Sequence, residues 1–367
     1  MYKQGDIKLG VSLYSYQDNF YFHRHDLEGC MAAAAGAGAQ GIEVFADTMM
    51  KEWPYISDSF ADKWHGLLYR YGLEPVCLDH FSDRAMWKNK QLTDDEMVER
   101  SIMYIKTANK LGCKSLRVLH NEHIGLGISP FRLTDAKIVE RILPVAQEYD
   151  VMLALECHSP TSIDDPIHEA YLEAAEKLNI PYVGLQADFS SYEYCISTAD
   201  VELCVYNGCT REVMELLRQK QREAYFEGRP FIYDEVKDEI EKLPLNDCDR
   251  EYLDPTTHAY GSSMKFMGGT QYNGGFRPSD WTAAYKTLKE YASKLVYVHG
   301  KFYDIDENGE VDNMDYPKIF EALKEGGYKG YVCSEFEGNR RMNVLGWCDE
   351  IGYVNKHHKL MRKCLEQ

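Results

Sequence analysis

Four apolar runs in the chain each end on a side chain able to ligate a cation: Glu156 in LALECHS, Asp188 in GLQADFS, His299 in VYVHGK and Glu335 in VCSEFEG. A single carboxylate after a strand is more often a helix cap or a solvated loop residue. The same placement after four successive strands asks for another reason. Three carboxylates and one imidazole brought together without a cation would repel one another and raise each other's pKa, so the cluster needs a metal or a basic partner. A divalent ion is the simplest remedy. Oxygen-rich ligation with one histidine points to Mn, Mg, Co or Zn in an open site rather than to a closed thiolate zinc site.

The elements that must position these residues are legible as short apolar runs bounded by turns, most of them followed by a helical period. The strand candidates are 9–13, 41–45, 74–78, 115–119, 151–155, 182–186, 295–298 and 330–334. Thr93, Thr134 and the Asp165-Pro166 pair carry helix start signals, and Gly72 and Gly112 sit where helices end. Eight strands alternating with helices predict a (β/α)8 barrel formed by the whole chain, 1–367, as one domain, with its chemistry where the strands end. The polar residues at those ends are Tyr14, Ser15, Glu43, Asp79, His80, His120, Glu156, His158, Asp188, His299 and Glu335. One connection breaks the rhythm. About a hundred residues separate the sixth and seventh strands, and 201–280 reads as an insertion with two charged helical pieces, 210–226 and 233–243, before a Gly- and Tyr-rich segment.

Composition excludes several classes. With 367 residues and 44% apolar content the chain is long enough for a large core. A net charge of -18 argues against nucleic acid as a partner, because that binding rests on Lys and Arg neutralising phosphates. The 11 cysteines are scattered without C-x-x-C pairs and read as reduced thiols. No signal sequence or uninterrupted stretch of roughly 18 apolar residues is present, which predicts a cytoplasmic protein away from membranes.

The LALECH, VGLQAD, VYVHGK and CSEFEG segments resemble the xylose isomerase-like TIM barrel superfamily of sugar isomerases and epimerases, which place Glu, Asp, His and Glu on the last four strands around one divalent ion. The resemblance spans about residues 8–190 and 290–365. Within it, the opening GVSLYSYQDNFYFHRHDLEGCMAAAAGAGAQGIEVF and the pairing of ECHSP with a long insertion look most like the catalytic alpha subunits of bacterial C-glycoside deglycosidases. Epimerases of this superfamily commonly carry a substrate-touching histidine three residues after the metal aspartate; here that place is Ser191.

The resemblance implies a metal-dependent carbon–carbon lyase, with Mn2+ as the expected ion and a sugar or sugar-phosphate isomerase or epimerase as the alternative. The implied substrate is a 3-oxo-C-glucoside, and the implied partner is a smaller beta subunit in a hetero-oligomer, with the 201–280 insertion as either its docking segment or a lid over the substrate. Removal of the proton next to the carbonyl would be followed by loss of the aglycone. His158 and His120 are the candidates for base and acid, because imidazole titrates near neutral pH. With Glu156 and Glu335 they make up the expected catalytic set. Lys301, His80, Arg340 and Arg341 are weaker candidates that read as rim or surface charge.

Overall fold

The computed structural model describes residues 7–80, 90–118, 131–159, 162–253, 280–342, 346 and 348–367. Eight parallel strands form a closed barrel: β1 (Ile7–Ser12), β2 (Gly41–Phe45), β3 (Glu74–Asp79), β4 (Ser115–Val118), β5 (Met152–Cys157), β6 (Val183–Asp188), β7 (Leu295–Phe302) and β8 (Gly330–Phe336). Each pairs with its successor, and β8 closes on β1 through the register Ile7↔Gly330 to Val11↔Ser334. Strands buried on both faces carry near-continuous apolar sequence, which is why these runs were legible without a clear alternation.

Two expectations need correcting. The last strands run further than the apolar pattern suggests, so Glu156, Asp188, His299 and Glu335 lie within β5, β6, β7 and β8 rather than beyond them. Polar inward residues are tolerated inside the ladder because the buried Arg117 and Lys301 pair with them. The helix after β4 begins at Phe131, a turn before Thr134, and runs to Glu148. Other signals hold. Thr93 caps Asp94–Lys110 with a reciprocal bond to Glu96, and Gly72 ends Asp58–Tyr71 at φ 63.

Strand register sets the layers of the interior. Glu156 is level with Gln186, Asp188 with His299, and Lys301 with Glu335. The ladder shifts between Ile42 and Glu43 and again between Leu185 and Gln186. Irregularities of this kind re-aim side chains beside functional sites; here Glu43 and Gln186 both end up against His299.

Between β6 and β7 the chain forms helices Thr198–Tyr206, Arg211–Phe226, Tyr233–Ile240 and Asp247–Leu253. They share a small apolar core of their own, including Val201, Cys204, Met214, Leu217, Ile240 and Leu253, separate from the main core around the barrel. Residues 254–279 lie outside the described residues.

Candidate metal centre

β5 to β8 bring Glu156, Asp188, His299 and Glu335 together, with one ligand atom from each within 4.8 Å of all the others and every side chain buried. His299 Nδ1 faces Glu156 Oε1 at 2.7 Å, Glu335 Oε2 at 2.8 Å and Asp188 Oδ2 at 3.7 Å. Its other nitrogen, Nε2, lies 3.0 Å from Glu43 Oε1, and the Gln186 amide nitrogen is 3.0 Å from the same nitrogen. Donating Nε2–H to Glu43 leaves the Nδ1 lone pair aimed at three carboxylates. One proton can satisfy only one of those contacts.

Asp188 Oδ2 and Glu335 Oε2 are buried and accept no hydrogen bond. These buried oxygens without a hydrogen bond, the convergent lone pairs and the three-carboxylate, one-imidazole donor set fit a divalent cation. Glu43 then has the role of the carboxylate that orients a ligating histidine from behind.

Two buried cations flank the cluster. Arg117, on β4, donates to Glu156 Oε2 from Nε at 2.9 Å and from Nη2 at 2.6 Å, while Nη1 binds Asp79 Oδ1. Lys301 Nζ lies 3.0 Å from Glu335 Oε2, 3.1 Å from Glu337 Oε2 and 3.4 Å from Asp188 Oδ2. Tyr14 OH donates to the other oxygen of Glu337 at 3.0 Å.

Burial pushes the Glu156 carboxyl upward, but Arg117 and His299 outweigh it and hold it well below the usual range. Asp188 follows the same logic through Lys301 and His299 and is held at about 2. Asp79 goes the other way. Burial prevails over Arg117, and its carboxyl is pushed up to about 7. Burial disfavours a charged His299, yet Glu335 and Glu43 raise its pKa well above the histidine range. The ligand set thus draws positive charge inward from every side.

His158 follows β5 and is half-buried. Its Nδ1 lies 2.6 Å from the Ser159 carbonyl oxygen, which can only accept, so Nδ1 carries the hydrogen and the neutral ring presents Nε2 as an acceptor. A positive His158 lowers the pKa of Glu156, Asp188 and Glu337, which sets it within electrostatic reach of the cluster. His120 lies outside the described residues. His80 sits against the Tyr104 ring at 4.3 Å, next to Trp53. Ser191 donates its hydroxyl to the Cys157 carbonyl at 3.1 Å.

Lys301 and Arg341, read from sequence as rim or surface charge, are 2% and 3% exposed. Inward β7 geometry buries Lys301, and Arg341 pairs with the buried Asp200 and lies over Tyr303. Arg340 is exposed, as expected, and its guanidinium covers the Tyr14 ring at 5.0 Å. Arg117 was missed, since an arginine inside SLRV reads as an outward strand position. Its signal was the opposite pairing expected next to Glu156 across β4 and β5.

The family described as Xylose isomerase-like TIM barrel matches residues 31–194. The C-glycoside deglycosidase alpha subunit of Arthrobacter globiformis is 30% identical over 367 residues, covering 98% of this chain and 93% of that one. The 3'-dehydrocarminate deglycosidase alpha subunit of Microbacterium sp. is 26% identical, covering 97% and 94%. Among solved structures, D-allulose 3-epimerase from Methylomonas sp. superposes with a TM-score of 0.53 at 13% identity, covering 98% of each chain. L-ribulose 3-epimerase gives 0.54 at 13% identity, covering 98% of this chain and 95% of that one. These two share the fold. With the A. globiformis relative matched nearly end to end, the chain belongs to the xylose isomerase-like TIM barrels, in the family of the C-glycoside deglycosidase alpha subunits.

Proposed function

We propose that the chain is the catalytic alpha subunit of a metal-dependent C-glycoside deglycosidase acting on 3-oxo-C-glucosides. The near-full-length similarity to deglycosidase alpha subunits carries this reading, and the buried four-ligand cluster supplies its chemistry. Glu156, Asp188, His299 and Glu335 would hold the ion, with Mn2+ as our choice. When bound, the ion supplies Lewis acidity beside the sugar's oxo group, where negative charge develops.

The protein's own groups do the rest. His158, through Nε2, takes the proton from sugar C2, next to the C3 carbonyl. The electron pair left behind forms the C1–C2 double bond as the C1–aryl bond breaks, and His120 returns a proton to the departing aromatic carbon. The products are an unsaturated 3-oxo-sugar and the free aglycone, with no water consumed. Arg117 fixes the free oxygen of Glu156 so that its other oxygen faces the centre. Lys301 holds Asp188 and Glu337 in ionised form and pairs with Glu335.

We assign the 201–280 stretch to docking of a smaller beta subunit, and the protein to the cytoplasm. No helix among the described residues is long and apolar enough to cross a membrane.

The test is aglycone release from a 3-oxo-C-glucoside by the chelated protein, with and without Mn2+, alone and co-expressed with its neighbouring open reading frame. Mn2+-restored release that is lost in Glu335→Gln supports the proposal. Absence of release, with metal-dependent deuterium exchange into a free ketose instead, moves the assignment to an isomerase or epimerase.

A further inference from the structure

The helix Thr198–Tyr206 stops at Asn207 and Gly208, where the backbone turns left-handed at φ 103. Gly208 N–H donates to the Val205 carbonyl at 3.0 Å, and Cys209 N–H donates to the Cys204 carbonyl at 2.9 Å. This pair of bonds is the Schellman ending, which folds the residue after the glycine back onto the third residue from the helix end. That contact is ordinarily apolar. Here both residues are cysteines, in the sequence CVYNGC, and the ending sets their thiols within interaction range of each other, with Tyr252 beside Cys204.

The two sulfurs differ in access. Cys204 is 1% exposed within the small core between the helices, whereas Cys209 is only partly buried. The Cys209 hydrogen bond and burial both raise the Cys204 pKa, which leaves first attack to Cys209, and oxidation of Cys209 removes the larger of these two effects. A third thiol, Cys248, sits against the same turn, its sulfur 3.0 Å from where a Cβ on Gly208 would lie.

We propose that Cys204 and Cys209 are a peroxide-oxidised dithiol site, with Cys209 reacting first and Cys204 resolving it to a disulfide. Cys209 attacks hydrogen peroxide, its sulfur becoming sulfenic acid while one water departs. The Cys204 sulfur then displaces the hydroxyl from Cys209 as a second water, forming the S–S bond. Two thiols are oxidised and one peroxide is reduced to two waters. The helix ending keeps the resolving thiol in place before the oxidant arrives, and nothing in the reaction involves the metal centre.

The test uses the full-length protein treated with one equivalent of hydrogen peroxide per chain, followed by thiol blocking, trypsin digestion and mass spectrometry. The peptide Leu178–Arg211 carries Cys195, Cys204 and Cys209. It should lose two hydrogens, give no fragment ions between 204 and 209, and recover on reduction. Cys248→Ser should leave this unchanged. In Cys204→Ser, Cys209 should stop at a sulfenic acid that dimedone traps. A bridge from Cys209 to Cys248, or progress of Cys209 to sulfinic acid without any bridge, overturns the proposal. The fragment map of the unsubstituted protein decides the matter even if a variant fails to fold.

Discussion

Replacing Arg117 by lysine keeps the charge but removes the planar fork that grips Glu156 Oε2 from Nε and Nη2 while Nη1 holds Asp79. A lysine ammonium on a flexible stem can serve one of these carboxylates well, not both. Each hydrogen bond to a charged partner contributes about 1.5–3 kcal/mol. Losing one of the two on Glu156 frees the carboxylate to turn, and groups that orient metal ligands typically account for about 10- to 100-fold in affinity, or roughly 1.4–2.7 kcal/mol. We therefore expect Arg117→Lys to weaken Mn2+ binding by that factor, read by calorimetric titration of the metal-stripped protein. Arg117→Met removes the charge as well and leaves buried carboxylates uncompensated, at a cost of about 3–5 kcal/mol. That is a large share of the roughly 5–15 kcal/mol by which a domain is stable, so the lysine variant is the informative one. A Mn2+ dissociation constant within twofold of the parent protein in Arg117→Lys would refute the idea that this fork positions Glu156.

Lys301 competes with an incoming ion for Asp188 Oδ2 and Glu335 Oε2; Lys301→Met should therefore destabilise the metal-free protein, and Mn2+ should raise its melting temperature by more than it raises that of the parent. An equal or smaller Mn2+ shift in the variant would contradict this. Burial holds His357 and His358 well below the ordinary histidine range, His358 at about 4, while each titrates near 6.5 once unfolded. The stability they confer is thus present above pH 6.5. It falls as the pH drops toward about 4, at about 1.4 kcal/mol per unit for each histidine. Urea unfolding at pH 7, 6 and 5 should show a shallower decline for His358→Asn, and an unchanged slope would argue against the assignment. A Cβ on Gly338 would lie 1.8 Å from the Tyr303 carbonyl oxygen, so Gly338→Ala should lose roughly 1–3 kcal/mol or more in the same assay.

All eight strands and the four residues of the buried cluster were legible, because a buried parallel strand is a short apolar run and a polar residue at its end stands out. What escaped was side-chain direction. Arg117 and Lys301 occupy strand positions whose facing cannot be told from period alone when both neighbours are apolar, and a buried cation is intelligible only once its carboxylate partners are known to be present. Glu43 was visible as a polar strand end, but its role depends on a register shift at Ile42 that nothing in GIEVF announces. The early start at Phe131 was missed because Thr134 offered a better cap than the preceding residues did. The independent core between β6 and β7 was hidden for a different reason: it is assembled across four helices, three of them under ten residues, so only Arg211–Phe226 shows a full apolar face.

The buried pair between Arg341 and Asp200 ties the first of those helices to the short helix Asn339–Met342 that follows β8. Asp312, beyond β7, adds a second tie by accepting from Thr198 N–H at 3.0 Å and from Arg218 Nη2 at 2.7 Å. When such a buried pair opens, both charges return to water, so its role lies less in net stability than in fixing one geometry of the helix against the barrel. The helix therefore sits as an abutment, its position set from the barrel end at two points, so the surface it offers is registered to the strands rather than to its own connecting loops.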